Sequence, residues 1–401
     1  MKNNSFNFLQ NIQLFIQKHK ILNILRYVYY FFDRVICLFI KKNNEENKKK
    51  KVLILANLGL GDAMDFLSVS DKYRKLYPKK EYEITMITSL GINKLLQEET
   101  DFDYIYAKNF NEMVLSIKKR IQFLKFINKE HYNILIDIMG PTGCSPSLYL
   151  IRASKADNKI TLKNKFNSKA PDFMVRKAYT KIYEIDESKI SNIEYYNRLF
   201  DYISGNKKPT LIKFHKTKVY SINDEIILPK EYYIVFPSAS TNVKKWPIER
   251  YAEIINRINE KYHIPVLFCG TKIDSEDVNK LIPLIKSKYY NYLGKTSILE
   301  FIQIIKKAKF VISNDTSAYH IGVIEEVPTA IISGGYTYDG FVTYKFKNNK
   351  YKKPYVIVNK RSCFNCLSNC PYIKNEKIWP CLNAITVDYV WNIIEKMIQE
   401  N

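Results

Sequence analysis

Asp62 closes the stretch VLILANLGLGD, residues 52–62, in which an apolar run meets a turn built on Gly59 and Gly61. A carboxylate at such a point can cap a helix or take a proton from a hydroxyl group. Glycines there let the backbone approach a ligand closely. In FPSAST…KKWP, small hydroxyl residues follow an apolar run and lead to Lys244 and Lys245, either of which can set a point charge against a phosphate. NDTSAYH, residues 314–320, repeats the arrangement: Asp315 and Thr316 open a helix, and Ser317 and His320 follow within its first turn. The free N–H groups of that turn make an anion site, whereas Asp315 alone would be an N-cap and His320 a packed core histidine. Near the end, Cys363, Cys366, Cys370 and Cys381 have the spacing C-x2-C-x3-C-x10-C. Four thiolates so placed suit a tetrahedral zinc or iron site; reduced thiols or disulfides are the alternative.

The elements that must carry these residues alternate. VLILA precedes a helical pattern over 62–76, ITMIT precedes NKLLQEE, DYIYA precedes a long helix over 111–129, and ILIDIM runs into the loop GPTGCSP. Such alternation predicts a mostly parallel sheet covered by helices on both faces. Residues 152–181 are basic and weakly periodic, which predicts an exposed loop region, and 206–231 read as a linker. A second alternation follows: YYIVFPSAS, a helix after Trp246-Pro247, PVLFCG, helices over 274–287 and 297–308, FVISND, a helix over 316–326 and PTAIISGG. The expected organisation is two Rossmann-like, doubly wound domains facing across a cleft. An N-terminal helical extension (1–48) precedes a first domain (49–225) and a second (226–385), and a C-terminal helix covers 386–401.

The 401 residues carry 63 Lys and Arg against 40 Asp and Glu, a formal charge of +23. That excess favours anionic partners such as nucleic acid, a phospholipid surface or a phosphorylated substrate, although an AT-rich gene would also inflate lysine. Seven cysteines, three of them scattered (Cys37, Cys144 and Cys269), suit a reducing compartment, and no cleavable signal peptide is visible. Within 6–40, apolar residues recur at helical spacing but Arg26, Asp33 and Arg34 interrupt them. Each charge costs about 2.5–3.5 kcal/mol at a bilayer centre, which argues against a transmembrane helix. An interfacial anchor followed by the basic run Lys48–Lys51 is one reading, and a helix packed on the protein itself or in an oligomer contact is the other.

In their fixed order, the glycine turn, FPSAST…KKWPIERYAEI, LFCGTKIDSE, YLGKTSILEFIQIIKKAKFVISNDTSAYHIG and the cysteine box make the chain resemble the lipopolysaccharide heptosyltransferases of glycosyltransferase family nine over about residues 51–390. The resemblance implies a GT-B fold, an ADP-heptose donor, inversion at the anomeric carbon and no catalytic metal. It puts the general base on Asp62, with Gly59 and Gly61 on the acceptor side. It places the diphosphate on Lys244, the best match, with Lys245 adjacent, and on Thr316, with Asp315 near sugar hydroxyls and Ser317 and His320 in the same donor site. The ribose falls to Asp274 or Glu276. Some members that modify proteins carry a four-cysteine iron site, so the box is expected to hold a structural zinc or iron. The sequence departs from the family at SAYH and SGGYT and in its N-terminal extension.

The leading expectation is therefore a cytoplasmic enzyme, peripheral on the inner face of the cytoplasmic membrane. It would move heptose to an anionic lipid A-core acceptor, with no nucleic-acid partner and with oligomers allowed. The alternatives are a protein acceptor, or a non-catalytic nucleotide- or nucleic-acid-binding protein. The last lacks any recognisable nucleic-acid module.

Overall fold

The computed structural model describes residues 31–40, 49–141, 146–163, 175–185, 190–344, 351–367, 370–372 and 377–401. Most of the N-terminal extension and the loop holding Cys144 lie outside these. The chain forms two compact units: one takes Met1–Asn57, Tyr73–Asn93 and Asp101–Ser188, and the other Leu58–Lys72, Lys94–Thr100 and Lys189–Asn401.

The first unit is built on six parallel strands, β1 (Lys50–Ala56), β2 (Tyr82–Thr88), β3 (Tyr104–Ala107), β4 (Ile134–Asp137), β5 (Asn158–Lys163) and β6 (Lys181–Glu184), in the order 3-2-1-4-5-6. Val52 to Ala56 are fully buried, as an unalternating apolar run in a central parallel strand requires. The intervening helices are α1 (Leu60–Leu76), α2 (Asn93–Glu99), α3 (Phe110–Leu115), α4 (Ile117–Lys129) and α5 (Pro146–Ala153).

Two expectations for this region need correction. The helix over 111–129 is broken at Ser116, whose extended backbone (φ −131°, ψ 117°) ends α3 and whose side chain accepts from Lys119 N to start α4. The basic stretch 152–181 contributes strand β5, and β6 begins at its end. The mixed residues of NKITLK and KIYE hide these two strands because each reaches the sheet's outer side with little apolar alternation.

Residues 31–38 are helical, and Asp33 and Arg120 form a buried two-pronged ion pair, with Arg120 also stacked over Tyr149. Cys37 joins the first unit's core beside Phe110, Met113 and Phe123, while Phe31, Leu38 and Phe39 stay exposed. This part of the extension is therefore packed on the protein itself, as one of the two expectations held. No helix among the described residues is long and apolar enough to cross a membrane.

The second unit opens with α6 (Asn192–Ser204) and then alternates β7 (Tyr233–Phe236), α7 (Ile248–Tyr262), β8 (Val266–Phe268), α8 (Ser275–Leu281), β9 (Tyr289–Asn291), α9 (Ile298–Lys306), β10 (Val311–Ser313), α10 (Ser317–Ile324), β11 (Thr329–Ile332) and β12 (Tyr355–Ile357), before α11 (Val387–Glu400). All six strands are parallel in the order 12-11-10-7-8-9, which numbered within the unit is the same 3-2-1-4-5-6 arrangement. The helix expected over 274–287 stops at Leu281, and Pro283 follows in a short 3-10 turn, Ile282–Leu284.

Trp246 is fully buried in this unit's core, among Tyr251, Ile255 and Leu382, a burial that stabilises by roughly 1.5–3 kcal/mol for a large apolar side chain. Residues 206–231 carry no regular structure, as expected of a linker. They are held by polar contacts within the second unit: Thr217 donates twice to Glu325, and Lys218 N and His215 meet Glu99.

Candidate active site

Strand order decides where a ligand can bind. In each sheet the chain reverses direction of growth beside the first strand, and crevices at such switch points lie beyond the strand carboxyl ends. In the second unit this is the gap between β7 and β10. Asn314 and Asp315 follow directly on β10, and the buried Asn314 amide bridges to the segment that leaves β7. Its Oδ1 accepts from Trp246 N at 3.2 Å, and its Nδ2 donates to the Pro237 carbonyl.

Asp315 collects the positive side of the site. Its Oδ2 accepts from Lys244 Nζ at 3.3 Å and from Tyr336 Oη at 2.7 Å, and the Lys244 ammonium lies 5.2 Å from the centre of the Tyr336 ring. Burial works to raise the Asp315 carboxyl, but Lys244, His320 and Tyr336 together hold it below the usual carboxylate range. Thr316 is the N-cap residue of α10, in extended conformation, with its hydroxyl on Ser313 Oγ at 2.9 Å, and Ser317 begins the helix. Lys245 points elsewhere, to Asp277 at 2.7 Å. Asp274 is used locally, accepting from Thr271 N and Oγ1 in a capping box, and Glu276 pairs with Lys280 one turn on. The structure thus gathers Lys244, Asp315, Thr316, Ser317 and His320, and leaves Lys245, Asp274 and Glu276 in other partnerships.

The start of α1 belongs to the same compact unit and brings Asp62 to this cluster. Asp62 sits in the third helical position, and its Oδ2 accepts from Gly59 N at 3.2 Å, so the capping role is real. Its Oδ1 accepts from Asn192 Nδ2 at 2.6 Å. Burial pushes this carboxyl up, with Asp315 adding repulsion, while His320 and the two hydrogen bonds pull against it. A half-buried carboxylate raised in this way is a better proton acceptor than an exposed one.

Gly61 explains itself by contact. A Cβ there would stand 2.7 Å from His320 Cδ2, so the imidazole occupies the space a side chain would need. His320 is buried, and burial pushes its ring down, so it is neutral near pH 7 although Asp62 and Asp315 favour the cation. Its Nδ1 meets Tyr344 Oη at 2.6 Å, and that hydroxyl meets Asp65 Oδ1 at 2.9 Å.

Sequence reasoning missed Asp65, Asn192, Tyr336 and Tyr344. Only Asp65 left a signal, as a second carboxylate one turn after Asp62 on an otherwise apolar helix face. In the first unit it also missed Asp137, at the carboxyl end of β4 beside β1. Asp137 is fully buried, accepts from Tyr179 Oη at 2.6 Å and is pushed up to about 7 by burial. Its signal was a lone carboxylate inside ILIDIM.

All four cysteines of the C-terminal box line one pocket, together with Gly335, Tyr336 and Trp379. Cys381 Sγ accepts from Gly335 N at 3.4 Å, and Tyr336 stacks on Trp379, so the pocket backs directly onto the loop that presents Tyr336 to Asp315. Among the described residues no three His, Cys, Asp or Glu side chains are drawn together as a metal ligand set, and no described cysteines form a disulfide.

Two parallel sheets of Rossmann strand order with flanking helices, and an anion-ready helix start at one switch point, define a GT-B glycosyltransferase. The model of glycosyltransferase family 9 (heptosyltransferase) matches residues 120–330, and the chain belongs to that family. A family 9 glycosyltransferase of Veillonella parvula is similar over 90% of this chain and 100% of its own, at 16% identity and a TM-score of 0.69. The E. coli heptosyltransferase WaaC with ADP is similar over 86% and 99%, at 16% identity and a TM-score of 0.62. The iron-containing dodecameric heptosyltransferase TibC of enterotoxigenic E. coli is similar over 89% and 81%, at 13% identity and a TM-score of 0.53. At these identities the likeness is one of fold. Curated protein sequences give no match.

Proposed function

We propose that this enzyme transfers heptose from ADP-heptose, with inversion, to a hydroxyl of an anionic lipid A-core acceptor at the inner face of the cytoplasmic membrane. The observation that carries the reading is the gathering of Asp62, His320, Asp315 and Lys244 within electrostatic reach of one another, with Lys244 paired to Asp315 and the His320 ring filling the space above Gly61. In this reading Asp62 takes the proton of the acceptor hydroxyl as its oxygen bonds to the anomeric carbon. The bond from that carbon to the β-phosphate oxygen breaks, and the electron pair leaves on ADP. Lys244 and the first-turn N–H groups of α10 stabilise the departing charge. A single displacement inverts the centre. Structures of E. coli heptosyltransferase WaaC with ADP and with ADP-2-deoxy-2-fluoro heptose support the choice of donor.

In this reading Cys363, Cys366, Cys370 and Cys381 hold a structural zinc or iron ion. Thiolates are the donor chemistry such an ion takes and all four line one pocket, though among the described residues they would have to draw closer to ligate it; when bound, the ion would tie the Tyr336 loop to the C-terminal segment. Elemental analysis of the purified chain against Cys363→Ser tests this. A second reading keeps the transfer and changes the acceptor to a protein, which the resemblance of the cysteine box to that of protein-modifying family members allows.

Thermal shift with ADP-heptose, ADP, UDP-sugars and GDP-sugars tests the donor. Selective stabilisation by the ADP ligands, growing with concentration over Kd, is expected. A response to a UDP-sugar alone would sink the heptose assignment.

A further inference from the structure

We propose that Trp379 and Tyr336 are positioning residues that couple the cysteine pocket to Lys244, so that loading the pocket with its metal ion tightens the donor site for a diphosphate. The proposal rests on the metal and donor assignments above and adds to them a regulation of the donor site.

Two grips connect the pocket to the site. The first is on the loop that carries Tyr336. Asn365 N donates to the Gly335 carbonyl at 2.7 Å, and Leu367 N to the Tyr336 carbonyl at 2.8 Å. Both donors have left-handed backbone, φ 63° at Asn365 and 53° at Leu367, on either side of Cys366. Neither is glycine, so the turn around Cys366 is held in a conformation that side chains disfavour, with both N–H groups committed to the Tyr336 loop. Gly335 allows the close approach, since a Cβ there would stand 2.5 Å from Phe364 Cδ2. The second grip is on the short turn Asn242–Lys244, where Trp379 N donates to the Val243 carbonyl at 3.0 Å. Trp379 also stacks on Tyr336, at 5.5 Å between ring centres and 24° between planes. Tyr336 donates to Asp315, and its ring faces the Lys244 ammonium at 5.2 Å. One residue of the pocket wall thus holds both the turn that carries Lys244 and the ring that faces it, all within the second unit.

What the pocket would supply is visible at Trp379. Its side chain lines the pocket with the four cysteines, and its indole N–H is buried with no hydrogen-bond partner among the described residues. A buried donor left unpaired destabilises the fold. Cys363, Cys366, Cys370 and Cys381 bring sulfur to the same pocket. A thiol sulfur is a weak acceptor, whereas a metal-bound thiolate carries charge and accepts more strongly. In the loaded pocket the indole N–H donates to a thiolate, which fixes Trp379 against Tyr336 and Val243. Lys244 and Tyr336 then keep the arrangement around Asp315 in which a diphosphate meets them. In the unloaded pocket the same residues rest on stacking and neutral backbone bonds, and ADP binding must itself order them. By linkage, bound ADP raises the metal affinity by the same factor.

The test uses the full chain, stripped by a chelator under reducing conditions and then loaded with Zn2+ or, without air, Fe2+, with free metal removed. Calorimetry should give an ADP Kd about tenfold lower for the loaded protein, within the usual range of coupling between sites. Tyr336→Phe keeps the stacked ring and loses the hydroxyl. Its metal affinity should stay within about threefold of wild type, while the tenfold ratio shrinks below about twofold. Trp379→Phe keeps a ring on Tyr336 and loses the N–H, so its metal affinity should fall about tenfold or more. A merely structural role would not separate the two quantities in this way. The same ADP Kd in both forms, a full ratio in Tyr336→Phe, wild-type metal affinity in Trp379→Phe, or a chain that takes up neither ion would overturn the proposal. Amide hydrogen exchange needs no nucleotide and separates the proposal from the donor reading. Slower exchange over residues 242–246 and 333–338 on loading, in a protein that binds no ADP, refutes the donor and leaves the coupling of the pocket to the Lys244 turn standing. Equal ADP binding by loaded and stripped protein, with unchanged exchange, does the reverse.

Discussion

Gly61→Ala is the smallest change that reaches the site. The added methyl would stand 2.7 Å from His320 Cδ2 and 3.2 Å from Cγ, whereas ordinary contact begins at 3.4 Å, so the ring must retreat by about 0.7 Å. Retreat is blocked on the far side, where Nδ1 already lies 2.6 Å from Tyr344 Oη. Overpacking of this kind costs roughly 1–3 kcal/mol, and replacing a helical glycine returns up to about 1 kcal/mol. The net loss of stability is therefore modest, on the order of 0–3 kcal/mol, a few degrees in Tm. Catalysis is far more sensitive, because a misplacement of about 1 Å costs on the order of 100-fold. Gly61→Ala should then keep its Tm within a few degrees of wild type and lose at least about tenfold in kcat for transfer from ADP-heptose. Melting by circular dichroism and initial rates of ADP release measure the two quantities on the same sample. A variant with wild-type kcat would show that the Gly61–His320 contact has no part in the chemistry.

The two adjacent lysines should behave differently. Lys244→Ala strands the buried Asp315 carboxylate and removes the charge meant for the diphosphate, so ADP affinity by calorimetry should fall about tenfold or more. Lys245→Ala breaks only a pair with Asp277 and should leave ADP affinity within about twofold. Asp137 gives a pH signature: its folded value of about 7 lies above the ordinary 3.8, so the native state holds this proton more tightly. Its burial is free of penalty below about pH 4, and stability is lost as pH rises through about 7. Asp137→Asn, which keeps a partner for Tyr179, should raise Tm at pH 8 and leave it nearly unchanged at pH 4. An equal effect at both pH values would refute the assignment.

Much of this arrangement was legible because single segments carry it. The run Val52–Ala56 reads as a buried parallel strand with no help from the rest of the chain, and the Gly59–Asp62 and Asp315–Thr316 helix starts each announce themselves locally. What stayed hidden depends on distant packing. Asn192 reaches Asp62 across 130 residues and Tyr344 reaches Asp65 across 279, and neither belongs to a local pattern. Residue type alone leaves adjacent Lys244 and Lys245 equivalent, and only the family resemblance ranks Lys244 first. A short 3-10 turn over Asn242–Lys244 sends their side chains to different carboxylates. Strand β5 lies in a stretch that reads as loop because its charged residues mask a weak apolar pattern, and β6, which begins at the end of that stretch, has the same weak pattern. The glycine turn was read as room for an acceptor, whereas the space above Gly61 is filled by His320.

The central claim is that Asp62 is the base of a heptosyl transfer. Its most direct test compares wild type with Asp62→Ala for heptose transfer from ADP-heptose to a lipid A-core acceptor, with donor binding measured in parallel. The account predicts donor affinity within about threefold of wild type and a transfer rate lower by roughly 10²–10⁴-fold. Undiminished transfer by Asp62→Ala would contradict it.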